Sequence, residues 1–190
     1  DKTGTLTEGK PKITDVVAAK GLSEDEILRF DAAIEAKSSH PLSLAVMEEA
    51  MKRKLKIPQK IEDFSSIAGH GLEAKVEGDH ILVGTIKLMQ DRKVDITPVK
   101  KIIERLLAEG KTIMVLAING KVAGVAAAAD PIKATAKSAV SKMQELGLEV
   151  AMITGDNEKT AEVIGKQTGI KRIFAEVLPE DKAKYVKKLQ

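Results

Sequence analysis

The chain has 190 residues, 43% of them hydrophobic, with 31 basic against 28 acidic side chains and a net charge of +3. That length and apolar content suit one large or two small domains, while the near balance of charge and the scarcity of aromatics, one Tyr and three Phe, argue against nucleic acid as a partner. The absence of cysteine excludes disulfides and thiolate metal sites, no apolar run approaches the roughly 18 residues of a membrane span, and no charged-then-apolar leader pattern opens the sequence.

The opening run Asp1-Lys2-Thr3-Gly4-Thr5-Leu6-Thr7 reads as a phosphate-handling loop. A carboxylate that attacks a phosphoryl group needs a cation to offset its charge, donors for the phosphoryl oxygens and backbone freedom for close approach. Lys2, Thr3, Thr5 and Gly4 are residues of those types. Two helices follow, at about Ser23 to Ala36 and Pro41 to Leu55. Between them Ser38-Ser39-His40-Pro41 has the form of a helix start, with proline in the first turn. His40 also stands five residues after Glu35 across the helix break, which lets an imidazole and a carboxylate converge on one small planar ligand.

Strands are expected near Glu62 to Ala68, Leu72 to Glu77 and His80 to Val83, the last two joined at Gly78-Asp79. Gly69-His70-Gly71 is either a hairpin turn or a place where backbone approaches a ligand closely. A helix from about Pro98 to Ala108 leads to a strand, Thr112 to Ile118, that returns through Asn119-Gly120. Tight returns of this kind build an antiparallel sheet.

The last third alternates strands and helices, as a parallel α/β layer demands. Val122 to Ala129 reads as a fully apolar strand of that layer. A helix from about Thr135 to Leu146 carries Ala136, Ala139, Val140, Met143 and Leu146 at helical spacing. Then come a strand Glu149 to Ile153, a helix capped by Asp156 or Asn157 and running to about Gln167, a strand Arg172 to Ala175, and a helix opened by Pro179. The pattern predicts an α/β fold of two domains: residues 1–8 and 125–190 form the parallel layer, and residues 9–124 are an inserted α+β domain with an antiparallel sheet. The two connections should lie close together and act as a hinge. Asp130-Pro131 ends a strand and is equally a strand terminator or a functional pair. Thr154-Gly155-Asp156 sits at the carboxyl end of a parallel strand, where ligands collect, and Lys182 lies in the first turn of a helix.

Taken in order, Asp-Lys-Thr-Gly-Thr-Leu-Thr, Ser-Ser-His-Pro-Leu, Gly-His-Gly, Asp-Pro, Thr-Gly-Asp-Asn and Pro-Glu-Asp-Lys closely resemble the P-type ATPases, and the Ser-Ser-His-Pro-Leu element resembles their heavy-metal-transporting branch. The resemblance implies a haloacid dehalogenase-like phosphorylation domain interrupted by a nucleotide-binding domain. It implies ATP and Mg2+ as cofactors, with Asp1 as the nucleophile that becomes an aspartyl-phosphate. Thr3 would hold magnesium with Asp1, through its backbone carbonyl. Thr154 and Lys182 would neutralise the phosphoryl oxygens, Asp156 would lie close to the nucleotide, and Glu35, His40, Gly69 and Gly71 would form the adenine and phosphate-chain site. The branch often has Gly-Asn where this chain has Gly84-Thr85, so Thr85 takes that place in the nucleotide site as a hydrogen-bonding substitute. Related phosphatases tend to have an aspartate acid/base two residues beyond the nucleophile. Threonine cannot fill that role, which lengthens the life of the phosphoenzyme.

The resemblance also implies partners: membrane helices and an actuator domain in a parent transporter, and a transported metal, copper first and zinc, cadmium or cobalt behind it. The chain would be the cytoplasmic part of an integral membrane protein. A soluble dehalogenase-type phosphatase is the rival enzyme, and a nucleotide-binding module without turnover the rival non-enzyme. The family's strand before the nucleophile and its Gly-Asp-Gly-x-Asn-Asp motif are absent from the sequence, so the resemblance implies a fragment or an incompletely represented chain. The expectation for such a fragment is that it binds nucleotide but phosphorylates Asp1 weakly or not at all. An α-amino group at Asp1, with an ordinary pKa near ~8, would add positive charge beside the metal site.

Overall fold

The computed structural model describes residues 1–38, 40–178 and 181–189, with side chains described to residue 187. It divides into a first unit of residues 1–10, 107–112 and 130–190 and a second of residues 11–106 and 113–129.

The second unit runs β1 (Lys12–Ala18), α1 (Glu24–Glu35), α2 (Pro41–Lys52), β2 (Ile61–Ile67), β3 (Gly71–Val76), β4 (Asp79–Gly84), α3 (Ile86–Asp91), a 3-10 turn (Thr97–Val99), α4 (Lys100–Ala108), β5 (Thr112–Ile118) and β6 (Lys121–Ala129). Its six strands lie in the order β1-β6-β5-β4-β3-β2. Ser23 starts α1 through a capping box, its hydroxyl accepting from the Glu26 N–H at 3.2 Å while the Glu26 carboxylate accepts from the Ser23 N–H at 2.8 Å. The helix then buries Ile27, Leu28, Phe30 and Ile34 in one core with Val46 of α2, Leu72, Ala74 and Val76 of β3, and Met114 and Leu116 of β5. The alternation of Leu72, Ala74 and Val76 is the period of a strand with one face inward. Asn119 and Gly120, at φ 50° and 76°, make the primed turn that the right-handed twist of a hairpin favours.

Several sequence expectations need correction. The apolar strand at 122–129 belongs to the antiparallel sheet: β6 pairs with β1 from Lys12↔Ala129 to Ala18↔Gly124 and neighbours β5. An uninterrupted apolar run means burial on both faces, and a covered antiparallel sheet provides that as well as a parallel one. The division therefore falls at residues 10/11 and 129/130 rather than 8/9 and 124/125. Residues 107–112 also join the first unit, where a Cβ on Gly110 would stand 2.8 Å from Val163 and the Thr160 hydroxyl donates to Lys111 O at 3.3 Å. β1 and α3 carried no clear periodic signal. The β3–β4 turn is built on Glu77 and Gly78, both at positive φ (53° and 96°), one residue earlier than expected.

The first unit contains α5 (Ala136–Glu145), β7 (Ala151–Ile153), α6 (Glu158–Thr168), β8 (Arg172–Phe174) and α7 (Lys182–Leu189). β7 and β8 pair in parallel, Ala151↔Arg172 to Ile153↔Phe174. Val140, Met152, Ala161, Ile164 and Ile170 form its core, with Leu6 and Ile132 packed against it. Asn157 caps α6, its side-chain oxygen accepting from Thr160 N–H at 3.1 Å. The Asp156 carboxylate is thereby left for other partners. Pro179, expected to open the last helix, and Glu180 lie outside the described residues.

Candidate active site

Residues 2–6 form a wide turn whose end is tied to its start, Thr7 N–H donating to Lys2 O at 3.1 Å. Gly4, at φ 76°, makes the reversal possible. The turn is fastened from outside as well. Asp130 lies 2.5 Å from the buried Thr7 hydroxyl and accepts from Lys10 N–H at 3.1 Å, while Lys133 Nζ donates to Gly4 O at 2.6 Å. Asp130 is thus more than a strand terminator, since it joins residues 7–10 to the start of the last segment.

This turn brings Asp1 to the carboxyl end of β7. Lys182 Nζ donates to Asp1 Oδ1 at 2.7 Å, and Lys2 N–H donates to the same oxygen at 2.9 Å. The Lys2 side chain turns inward, 7% exposed, and its ammonium meets both Asp156 oxygens at 2.9 and 2.8 Å. Asp156 in turn holds the hydroxyl of Thr154, which is 3% exposed. Asp1, Thr154, Asp156 and Lys182 are therefore assembled in one unit. Thr3 is exposed, with an extended backbone (φ −67°, ψ 124°). The Asp1 carboxylate and the Thr3 carbonyl are hard oxygen donors of the kind Mg2+ takes from proteins in ones and twos, the rest being water and phosphate oxygen. Among the described residues no group of three or more His, Cys, Asp or Glu could hold a metal. The donor set fits magnesium and no closed protein cage.

The second unit carries the other expected residues. Glu35 ends α1 at 7% exposure and accepts a hydrogen bond from the buried Ser43 hydroxyl of α2. His40 caps α2, its Nδ1 accepting from Leu42 N–H at 3.2 Å, so a neutral ring carries its proton on Nε2. Ser39 lies outside the described residues. His70 O accepts from Thr85 N–H at 2.8 Å, which ties the Gly69-His70-Gly71 turn to the start of α3, where the Thr85 hydroxyl accepts from Leu88 N–H at 3.2 Å.

The two glycines of that turn differ. A Cβ on Gly69 would meet nothing within 4 Å, leaving its backbone open to a ligand. On Gly71, at φ 150°, it would stand 2.1 Å from Val83 O and 2.6 Å from the Cα of Gly84, its cross-strand partner. Close strand packing alone thus requires glycine at 71. Gly71→Ala is expected to destabilise the second unit by about 3 kcal/mol, read as a lowered denaturant midpoint without any ligand. Gly69→Ala should cost about 1 kcal/mol.

One buried group went unread in the sequence. Asp31, one helical turn before Glu35, is 1% exposed, and its Oδ1 is buried without a hydrogen-bond partner among the described residues. Burial, and then the charge of Glu35, push its carboxyl well above the usual carboxylate range. Burial also raises Glu35, less so because Ser43, His40 and Ser38 oppose it. A folded pKa above the unfolded one means stability that is complete below about pH 4 and lost as pH rises through the folded value. Asp31→Asn should remove that decline, which reaches at most about 1.4 kcal/mol per pH unit above about pH 4, so that in urea unfolding the variant gains stability relative to the parent as pH rises from about 4 to about 9. The only sequence signal for Asp31 was an acid on the apolar face that Ile27, Leu28 and Ile34 define.

The chain belongs to the haloacid dehalogenase-like hydrolases, whose family model matches residues 1–190. It is 46% identical over 190 residues to a copper-exporting P-type ATPase of Bacillus subtilis (strain 168), all of this chain against 24% of that protein, so it spans about a quarter of that relative. Among solved structures it is similar to a zinc-transporting PIB-type ATPase in its E2.Pi state, with TM-score 0.73 and 37% identity over 100% of this chain and 30% of that one. It is also similar to the catalytic CPx-ATPase domain CopB-B, with TM-score 0.72 and 26% identity over 100% of this chain and 64% of that one.

Proposed function

We propose that this chain is the ATP-binding and phosphorylation part of a heavy-metal-transporting P-type ATPase, with copper as the cargo. The observation that carries this reading is a linked pair of carboxylates built from residues up to 181 positions apart: Asp1 receives Lys182 and the Lys2 N–H, and the Lys2 ammonium meets Asp156, which holds the Thr154 hydroxyl. The second unit holds ATP through Glu35, His40, Gly69, Gly71 and Thr85. An Asp1 oxygen forms a bond to the γ-phosphorus while the bond from that phosphorus to the β,γ-bridging oxygen breaks, and ADP leaves with the electron pair. Lys182 and Thr154 offset the charge on the phosphoryl oxygens. Magnesium, held by Asp1 and the Thr3 carbonyl, supplies further charge neutralisation when bound. Thr3 offers no base to activate water, so the aspartyl-phosphate lasts long enough to be coupled to a change of shape.

In this reading the residues lie on the cytoplasmic side of a longer chain whose membrane helices bind the metal and whose actuator domain completes the cycle. Among the described residues no helix is long and apolar enough to cross a membrane. The copper assignment rests on relatives named for copper at 46% and 41% identity, and zinc is the alternative through the structural neighbour at 37%. ATP hydrolysis by the full-length protein in membrane vesicles tests both. Stimulation by monovalent copper over zinc supports the proposal, and the reverse preference moves the assignment to zinc. Hydrolysis of p-nitrophenyl phosphate faster than ATP, without metal stimulation, would replace it with a phosphatase.

A further inference from the structure

The Thr154 hydroxyl has one proton, and that proton is already committed. The oxygen accepts from Asp156 N–H at 3.2 Å and donates to Asp156 Oδ2. A phosphoryl oxygen at Asp1 can receive it only if Asp156 gives it up, leaving the carboxylate to another donor. Lys2 is placed for this. It is the one lysine or arginine that is buried among the described residues, and its ammonium contacts both oxygens of Asp156. Its backbone N–H is bound to the Asp1 carboxylate, so one residue touches the acceptor of the phosphoryl group with its main chain and the keeper of the Thr154 proton with its side chain.

We propose that Lys2 and Asp156 are a positioning pair that releases the Thr154 hydroxyl to the phosphoryl group: with the site free the hydroxyl donates to Asp156, and with a phosphoryl group on Asp1 it turns to that group while Asp156 rests on Lys2 alone. This rests on Asp1 being the phosphoryl acceptor. No proton leaves Thr154, and only its donor direction changes. Asp156 accordingly serves Thr154 and needs no contact with the nucleotide. A neutral side chain at residue 2 leaves Asp156 with the hydroxyl as its main support, and the carboxylate then competes with the phosphoryl oxygen for it.

The test is a double-mutant cycle in the full-length protein, reading inhibition by orthovanadate as a phosphoryl mimic, ATP-dependent acid-stable labelling, and ATP affinity. Lys2→Met should weaken orthovanadate inhibition at least tenfold and leave ATP affinity within twofold. Adding Asp156→Asn should recover inhibition to within threefold of the parent, because the uncompensated carboxylate is gone. Should Lys2→Met fail to fold, Lys2→Gln serves in the same cycle with the same expectation. Unchanged inhibition in the Lys2 variant, or a double variant as weak as the product of the two singles, overturns the proposal. Acid-stable labelling that survives Asp1→Asn overturns the underlying phosphorylation reading instead, so the two failures are distinct.

Discussion

Asp1→Asn in the full-length protein is expected to lower acid-stable labelling from γ-labelled ATP by at least about 10³-fold. The amide keeps the shape of the carboxylate and the acceptor oxygen that faces Lys182 and the Lys2 N–H. It lacks the anionic oxygen proposed to attack phosphorus. ATP affinity should stay within about threefold, because the proposed nucleotide residues lie on the second unit, and folding should be little affected. The Asp1 and Lys182 side chains are 50% and 35% exposed, and an ion pair so open to water contributes less than about 1 kcal/mol. Labelling that persists in the variant, and that hydroxylamine fails to remove from the parent, would eliminate an acyl-phosphate at this residue.

Lys182→Met is expected to slow phosphoenzyme formation by about 10²- to 10³-fold, the range seen when one preorganised donor is removed from a site of developing charge. Its ammonium lies 2.7 Å from the Asp1 carboxylate, so in the proposed reaction it would hold Asp1 beforehand and meet the phosphoryl oxygens as charge develops. Lys182→Arg should recover part of the rate, since the charge is kept while a planar fork replaces a compact ammonium. The measurement is rapid-quench labelling at saturating ATP, where a binding defect drops out. A rate within twofold of the parent for Lys182→Met would leave the lysine an ordinary surface cation.

The sequence by itself determined whatever is encoded by local conformation and spacing. The Asp1–Thr7 heptad marked the loop proposed to react, Asn119-Gly120 marked a tight return whose two residues take positive φ, and a helix was expected at about Ser23 to Ala36, where α1 lies. Those signals act over a few residues. The tertiary structure alone decided which partner each residue meets. β6 was legible as an apolar strand but not as a member of the antiparallel sheet, since burial on both faces says nothing about direction. Gly71 was legible as a glycine in a turn, while its need for close packing against Gly84 depends on a strand thirteen residues on. Lys2 and Asp156 stand 154 positions apart and Asp1 and Lys182 stand 181 apart. Charge type at each position was plain, yet which carboxylate each lysine neutralises was set only when β7 and α7 carried those groups to the opening loop. Asp31 shows the same limit from the other side. Its place on α1 followed from the expected helix, but its loss of water, and of a hydrogen-bond partner at Oδ1 among the described residues, came from the elements packed over it, and desolvation is a property of the assembled core rather than of the residue.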